Sequence, residues 1–368
     1  MLYSNIIRRL SIVSIAVLFF TACSESEKEA YEIIIQQDSE EFVYKLPYQS
    51  LITSQDTKER VWKEADIWLV RQLSEGMFNP VRIIQDKAST FVLDASDGYI
   101  KQLDHESETV TRIGQGKGNG PGEFTFPFDF DVDPLGNFIV MDIAKRALIT
   151  LDSNGEPLST YQFKSASPTT LSVINEKLAV VMINGSVEGN SSASDGLFQM
   201  YNRETNELQL FNDFLTGMEN LPPLSGLEIA FTGTLLNDLG SLLFLPKNIN
   251  HIIRVTKDGE IAFVKNTIDQ AGLPVVHSSV NGASLSSESF STSLDGFLIG
   301  NNMAIWSKTG IDKHGGHVID FYDQLTGDYK YSINIPELGA ISGLAMGPKI
   351  ISTINADGSV SVWQYDVL

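Results

Sequence analysis

The feature that most restricts the fold of this chain is an internal repeat of 47 to 48 residues. Asp94 and Asp142 are 48 residues apart, and Pro80 and Pro127 are 47 apart. Each aspartate ends an apolar strand-like segment, which is followed by a short turn and a second strand-like segment that ends in Leu-Asp. Matched landmarks at one period indicate a repeat architecture.

The rest of the chain continues the rhythm of strand and turn with less regular landmarks. Asp-Gly pairs at several turns are typical of β-hairpins, and the best helical candidate is the short segment Val61–Gly76. A unit of this length with several strands and no helix is typical of a β-propeller blade. Residues 60–368 would hold six units of 48 residues with some left for loops. We therefore predict an all-β, six-bladed β-propeller over residues 31–368. The less regular strand pairs are Leu197–Phe211, Leu243–Val264, Val318–Ile333 and Ile350–Tyr365.

The glycine-rich stretch Gly114–Pro127 suggests a phosphate-binding loop but lacks the residues of one. A Walker loop needs a hydroxyl residue after its lysine, and Lys117 is followed by Gly118. A dinucleotide fingerprint needs a third glycine where Asn119 stands. The sequence after the loop alternates phenylalanine with polar residues, which predicts a strand instead of the required helix. We expect the loop to connect strands and to bind no nucleotide.

This region resembles the NHL repeat and the six-bladed propeller lipoproteins of Bacteroidetes, most clearly over Met77–Phe163. The matching features are the GxGxGPGEF loop, Phe126-Pro127, Asp133 with Gly136-Asn137, Asp142, Arg146, Leu151-Asp152 and Asn154-Gly155. The resemblance implies structural roles in the repeat for Asp94, Asp142 and Arg146. Asp142 would cap a turn between strands and Arg146 would hydrogen-bond across or between blades, the alternative being a ligand-binding role.

The N-terminus has the pattern of a bacterial lipoprotein signal. Arg8 and Arg9 precede an apolar segment, which ends in a Phe-Thr-Ala-Cys tetrapeptide that resembles a lipobox. We predict cleavage after residue 22, lipidation of Cys23 and an acidic tether over residues 23–30. An ordinary signal peptide with an unrelated cysteine is the alternative. By analogy we expect anchoring in the outer membrane, facing the periplasm or the cell surface.

The net charge limits the expected partners, and the cysteine content limits what can stabilise the fold. The formal net charge is −20. Removing the two signal arginines from the 26 basic residues leaves 24 against 46 acidic ones, or −22. Such a surface repels a phosphate backbone, so nucleic acid is not an expected partner. With Cys23 as the only cysteine, no disulfide can form within the chain and its core alone must stabilise the fold.

Two residue groups could ligate a metal, although neither pattern is specific. Asp129, Asp131 and Asp133 recur at a spacing of two and could hold calcium. They could equally form the polar side of a strand that faces solvent or the channel. His314 and His317 are separated by two glycines, which suits a solvated loop better than a rigid zinc site. We leave open whether a metal binds, with calcium as the candidate, and assign no other cofactor and no catalytic residue.

These observations favour a non-catalytic binding or scaffold module for a protein, peptide or glycan in the cell envelope. The fold alone does not fix a function. The alternative is a metal-dependent propeller enzyme, lactonase-like or lyase-like, with its site in the central channel. The loop Asn184–Gly196 could contribute to specificity. The tryptophans fit blade packing better than a sugar platform; they are Trp62, Trp68, Trp306 and Trp363.

Ring closure is the last expectation. The C-terminal segment Val360–Tyr365 leaves the last blade one strand short. Glu32–Gln37 and Glu41–Leu46 are strand-like and precede the first repeat. We predict that residues 30–50 supply the missing strand and close the ring, because an open seam would expose strand edges.

Overall fold

The computed structural model describes residues 32–86, 88–107, 109–164, 167–184, 198–212, 226–238, 240–269, 271–280, 282–287, 289 and 291–368. The expected signal peptide, Cys23 and the tether lie outside the described residues, as do residues 185–196 of the candidate loop. Within the described ranges, no helix has both the length and the apolar character that crossing a membrane requires.

Strands dominate the described residues. The N-terminal segment contributes β1 Glu32–Gln37, β2 Glu40–Lys45, β3 Ile52–Thr53 and β4 Ala65–Leu73. Blades 1 and 2 are formed by β5 Pro80–Gln85, β6 Ser89–Asp94, β7 Tyr99–Asp104, β8 Val110–Ile113, β9 Pro127–Val132, β10 Phe138–Asp142, β11 Ala147–Leu151 and β12 Pro157–Gln162. Blades 3 and 4 are formed by β13 Ser167–Val173, β14 Leu178–Asn184, β15 Phe198–Asn202, β16 Glu207–Asn212, β17 Gly233–Asp238, β18 Ser241–Pro246, β19 His251–Val255 and β20 Ile261–Asn266.

The remaining elements are β21 Val275–Ser279, β22 Gly282–Leu285, β23 Ser293–Ile299, β24 Asn302–Ser307, α1 Lys308–His314, β25 Val318–Asp323, β26 Tyr329–Asn334, β27 Ile341–Met346, β28 Ile350–Asn355 and β29 Val360–Val367. Blade 5 is β23 to β26, and blade 6 is β27, β28 and β29 with β4. Short 3-10 helices lie at Gln49–Leu51, Leu227–Ile229 and Pro336–Leu338.

The six blades of the described residues close into a ring. The first strand of each blade lies against the first strand of the next, in the order β5, β9, β13, β17, β23, β27 and back to β5. Six clusters of buried apolar side chains lie between the blades, one for each pair of neighbours, including blades 6 and 1. A sheet that cannot bury both faces alone is thus covered on both sides by its neighbours. The chain is a β-propeller.

A seventh sheet, the N-terminal sheet, is formed by β1, β2, β21 and β22. Strand β1 pairs antiparallel with β2 and parallel with β21. Ile33, Ile35 and Tyr44 pack into the buried cluster between blades 3 and 4. Both predicted N-terminal strands therefore exist, but they extend the core between those two blades and do not pair with the last blade.

The seam is closed by a different segment from the predicted one. Strand β4 pairs antiparallel with β29 along its length, from Ala65 opposite Val367 to Leu73 opposite Val360. The prediction that residues 30–50 supply this strand was wrong. The same strand also corrects the helical candidate Val61–Gly76, because pairing with the incomplete blade stabilises an extended conformation that local sequence preference does not reveal.

Residues 47–64, which we call the strap, connect the N-terminal sheet to β4 across blades 4 and 5. Strand β3 adds to β20, the outer strand of blade 4. Trp62 then bridges to Ser332 on the outer strand of blade 5. Between them, Arg60 Nη2 contacts Asp269 at 2.6 Å and Asp320 at 2.8 Å, with its side chain only 7% exposed. The strap therefore ties blades 4, 5 and 6 together from outside.

Candidate ligand site in the central channel

A β-bulge recurs at the start of the innermost strand in five blades. In blade 1 the pairing register shifts between Pro80 and Arg82, and in blade 2 it shifts between Pro127 and Asp129. A bulge leaves one residue unpaired and redirects the side chains around it. The unpaired residues are Val81, Phe128, Thr169, Leu294 and Ser342, and each is followed by the next paired position at Arg82, Asp129, Thr170, Asp295 and Gly343.

These bulge residues line a cavity of about 480 Å³ in the central channel. Gly233 and Thr234 complete the lining from blade 4, so all six innermost strands contribute to it. The volume lies within the range of ~300–1,000 Å³ that is typical of small-ligand sites. The cavity lies at the end of the channel where the innermost strands begin.

Arg82 crosses the channel and carries the central charges. Its Nη1 donates a hydrogen bond to Asp295 of blade 5. Its Nε lies 2.9 Å from Asp129 Oδ1 of blade 2, an ion-pair distance without hydrogen-bond alignment. Burial opposes the charge of the guanidinium, but the two carboxylates outweigh burial and raise the pKa of Arg82 above its usual range.

The two carboxylates that face Arg82 are also held by neighbouring blades. Asp129 Oδ2 accepts hydrogen bonds from the Thr170 hydroxyl at 3.1 Å and the Leu171 amide at 3.2 Å. Asp295 Oδ1 accepts from the Thr234 hydroxyl at 2.8 Å. The ionised forms of both carboxylates are thereby satisfied in place, and neither is positioned as a free acid or base.

Asp131 performs a related structural task one pleat further along β9. Its carboxylate accepts a 2.8 Å hydrogen bond from the Val173 amide, on the channel-side edge of β13. Innermost strands leave amides on that edge without a partner strand, and unpaired buried amides are costly. Burial raises the pKa of Asp131 to about 6 despite this hydrogen bond.

The mouth of the cavity has different chemistry on its two sides. Lys247 of blade 4 and Lys308, at the start of α1 in blade 5, contribute cationic side chains. The opposite side, from blades 1 and 2, presents Val81 and Phe128. Phe128 is 46% exposed, so a large apolar ring meets solvent at the mouth.

The three aspartates proposed for calcium do not share one site. Asp129 contacts Arg82 and Asp131 accepts from Val173, whereas Asp133 pairs with Arg203 at 2.6 Å in the turn at the far end of β9. No group of three or more His, Cys, Asp or Glu side chains suited to a metal ion occurs among the described residues. The predicted alternation of phenylalanine and polar residues along β9 does not match the observed burial. Asp129 is 5% exposed and Phe128 is not buried, because the bulge falls between Pro127 and Asp129.

The repeat aspartates occupy equivalent turns. Asp142 accepts hydrogen bonds from the amides of Thr125, Phe126 and Lys145, and Asp94 accepts from Phe78 and Asn79. Each therefore ties the entry of its innermost strand to the end of the second strand. Arg146 has a φ of 49° and donates no side-chain hydrogen bond within the described part of the chain.

The glycine-rich loop joins β8 to β9, as expected of a connection between strands. The Gly120 amide donates to the Glu123 carboxylate at 2.7 Å, so an anion of the chain itself occupies the loop. A side chain at Gly118 would collide with the same carboxylate.

His314 and His317, the other candidate metal ligands, contact different groups. His314 packs edge-on against Trp62, and His317 Nε2 contacts the Gly339 carbonyl at 2.6 Å.

Sequence reasoning singled out Asp129, Trp306 and His317 but missed most of the other residues that line the cavity, Arg82 among them. The signal was present, because Arg82 stands two positions after Pro80 as Asp129 stands two positions after Pro127. The same offset from Pro168 gives Thr170. Asp295 and Lys247 have no such landmark, since the repeat is irregular in the second half of the chain.

Comparison with known proteins supports the fold and no more. No protein-family model and no curated protein matches the chain. A protein from Bacteroides fragilis described as exported matches with a TM-score of 0.54 and 12% identity, over 86% of this chain and 99% of its own. A member of the DUF4221 family from Bacteroides vulgatus matches with a TM-score of 0.54 and 11% identity, over 83% and 99%. The β-propeller domain of Swd1 from Myceliophthora thermophila gives a TM-score of 0.48 and 9% identity, over 81% and 99%.

Proposed function

We propose that this chain is a non-catalytic binding module, which binds a segment of a protein, a peptide or a glycan at the mouth of its central channel. The observation that carries this proposal is the cavity of about 480 Å³, to which all six innermost strands contribute. A site built on rigid strands holds its side chains in fixed positions. The exposed Phe128 at the mouth adds apolar surface that a ligand can cover.

The arrangement of charge supports binding over catalysis. A general acid or base must be free to reach the proton that it transfers. Asp129 and Asp295 are instead engaged by Arg82 and by hydroxyl groups of blades 3 and 4. The metal-dependent alternative would need several ligand side chains to converge in the channel, and the two carboxylates found there are joined by a cation.

The binding proposal can be tested by filling the cavity. Ser342, the unpaired bulge residue of blade 6, lines the cavity from an exposed position, so Ser342→Trp should place an indole in the channel mouth without disturbing the core. Ligand-observed NMR against a panel of short peptides and oligosaccharides should give signals that Ser342→Trp abolishes and that Ser107→Trp, at an exposed turn, leaves intact. Binding that is unaffected by Ser342→Trp would contradict a channel site.

The cellular placement is part of the same proposal. We propose a six-bladed propeller of the NHL type that is anchored through a lipidated Cys23, in the outer membrane, facing the periplasm or the cell surface. The lipobox-like tetrapeptide supports this placement. Metabolic labelling with a fatty acid should mark the parent and not Cys23→Ser, because serine cannot form the thioether. Equal label in both proteins would overturn the anchor without affecting the binding proposal.

A further inference from the structure

We propose that the channel mouth selects a carboxylate attached to an apolar group, and this inference rests on the proposed function. Its first support is the charge of the cavity lining. The lining contains three cationic side chains, Arg82, Lys247 and Lys308, and two carboxylates, Asp129 and Asp295. Arg82 offsets the two carboxylates in part, and Lys247 and Lys308 supply an excess of positive charge in a protein whose net charge is −20.

The two lysines are available to a ligand. Lys308 pairs with Asp312 one helical turn away, and the two side chains are 38% and 52% exposed. Exposed pairs at this spacing contribute little to stability, so a ligand can replace the partner at small cost. Lys247 is exposed and makes no ion pair among the described residues. Two ammonium groups on one side of a pocket favour an anionic ligand group.

A buried donor on the same side adds a second, independent observation. Trp306 lines the cavity and is 5% exposed, and its Nε1–H has no acceptor within the described ranges. A buried donor without a partner is costly, and the cost is recovered when an acceptor arrives. Lys247, Lys308 and Trp306 thus all belong to blades 4 and 5, and each carries an N–H group, the kind of donor from which a carboxylate accepts.

The opposite side determines what must be attached to the carboxylate. Blade 1 lies opposite blade 4 and blade 2 opposite blade 5 in the ring. Val81 and Phe128 of blades 1 and 2 therefore face the donors across the mouth. A ligand that spans the mouth places its anionic group at the lysines and its apolar group against Phe128. The C-terminus of a peptide with an apolar last residue and a free fatty acid share this chemistry.

Isothermal titration calorimetry with four probes tests the inference: N-acetyl-Leu-Phe, its C-terminal amide, octanoate and maltose. We expect N-acetyl-Leu-Phe to bind about tenfold more tightly than its amide, a difference of about 1.4 kcal/mol. Binding of the peptide without octanoate would support both the carboxylate selection and the proposed function. Binding of octanoate without the peptide would support a carboxylate on an acyl chain and would count against the protein, peptide or glycan ligand of the proposed function. Equal affinity of acid and amide would overturn the selection of a carboxylate but leave the proposed function standing.

Variants test which side chains select the carboxylate and which contact the apolar group. Lys247→Ala combined with Lys308→Ala should reduce the affinity for N-acetyl-Leu-Phe to that of the amide and leave the amide unchanged. Phe128→Ser should weaken both. Lys177→Ala, in the turn at the far end of β13, is the matched control and should change neither. If neither carboxylate binds at millimolar concentration, the inference fails, whereas panel signals abolished by Ser342→Trp would still support a channel site for another ligand class.

Discussion

Arg82 and Asp295 form an ion pair across the central channel, although blades 1 and 5 are not neighbours in the ring. Asp129 of blade 2 holds the same guanidinium from the other side. One side chain therefore joins three blades at the floor of the cavity. The arrangement fixes the relative positions of strands that are otherwise connected only through their neighbours.

Replacing Arg82 should destabilise the protein more than a typical surface change. Arg82→Met would leave Asp129 and Asp295 buried without their cation, and breaking a buried pair in this way typically costs about 3 kcal/mol or more. Urea unfolding should show that loss. Adding Asp129→Asn and Asp295→Asn to Arg82→Met should recover most of it, because no charge then remains unpaired. A triple variant no more stable than the single one would show that packing, and not charge, is responsible.

The pKa of Asp131 predicts a defined dependence of stability on pH. Burial raises this pKa from 3.8 to about 6 in the folded protein. Between about pH 4 and pH 6 the folded state retains a proton that the unfolded chain has lost, so the contribution of Asp131 to stability falls as pH rises. Asp131→Asn should match the parent near pH 4 and exceed it by roughly 2 kcal/mol at pH 7.5. Asp258→Asn, which removes an exposed carboxylate at a turn, is the matched control in urea unfolding across this range.

His251 should have the opposite effect. It is buried beside Tyr48 of the strap, with Nδ1 3.5 Å from the tyrosine hydroxyl, and burial lowers its pKa from 6.5 to about 4. Its contribution is complete above pH 6.5 and is lost as pH falls toward 4, because the unfolded chain takes up the proton first. His251→Gln should therefore lose less stability than the parent on acidification from pH 7 to pH 4.5. The exposed His277→Gln is the control. Identical profiles of stability against pH for the parent and His251→Gln would contradict a lowered pKa of His251 in the folded protein.

The strap should contribute to stability through one buried cation. Arg60→Met leaves Asp269 and Asp320 without their shared partner, and we expect a loss of about 3 kcal/mol in the free energy of unfolding. Lys58→Met removes a nearby charge from an exposed position and should change stability by less than about 0.5 kcal/mol. Hydrogen exchange should show the loss of protection in β20 and β25, the strands nearest the ion pairs of Arg60. Protection lost evenly over all blades would argue against a local role for the strap.

The sequence predicts the blades but not how the chain's ends complete them. Strand alternation and turn residues are local, so the repeat over Met77–Phe163 and the later hairpins could be predicted. Which strand joins β29 is decided by the geometry of the closed ring, which local preference does not encode. Val61–Gly76 alternates poorly because β4 is an outer strand with Trp68 and Leu69 exposed. Most of the lining of the cavity was missed for a similar reason: a bulge at Phe128 changes which side chains face the channel, and period-2 counting assumes that no bulge is present.

The pairing of β4 with β29 tests whether the ring depends on the N-terminal segment. Strand β4 is the only strand of blade 6 that precedes β27 in the chain, so this pairing joins the N-terminal segment to the last blade. Leu69 lies opposite Trp363 in this pair and is 47% exposed, so a substitution there alters backbone pairing more than core packing.

Proline fixes φ and cannot donate a hydrogen bond to the neighbouring strand. Leu69→Pro should therefore open the seam, lower the melting temperature by several degrees and promote aggregation through the exposed edge of β29. Thr160→Pro also introduces a proline into an outer strand, that of blade 2, opposite Ile149, where the chain continues unbroken. It should fray that strand locally while the ring stays closed. Equal melting temperatures and equal aggregation rates for the two variants would show that the ring does not depend on β4.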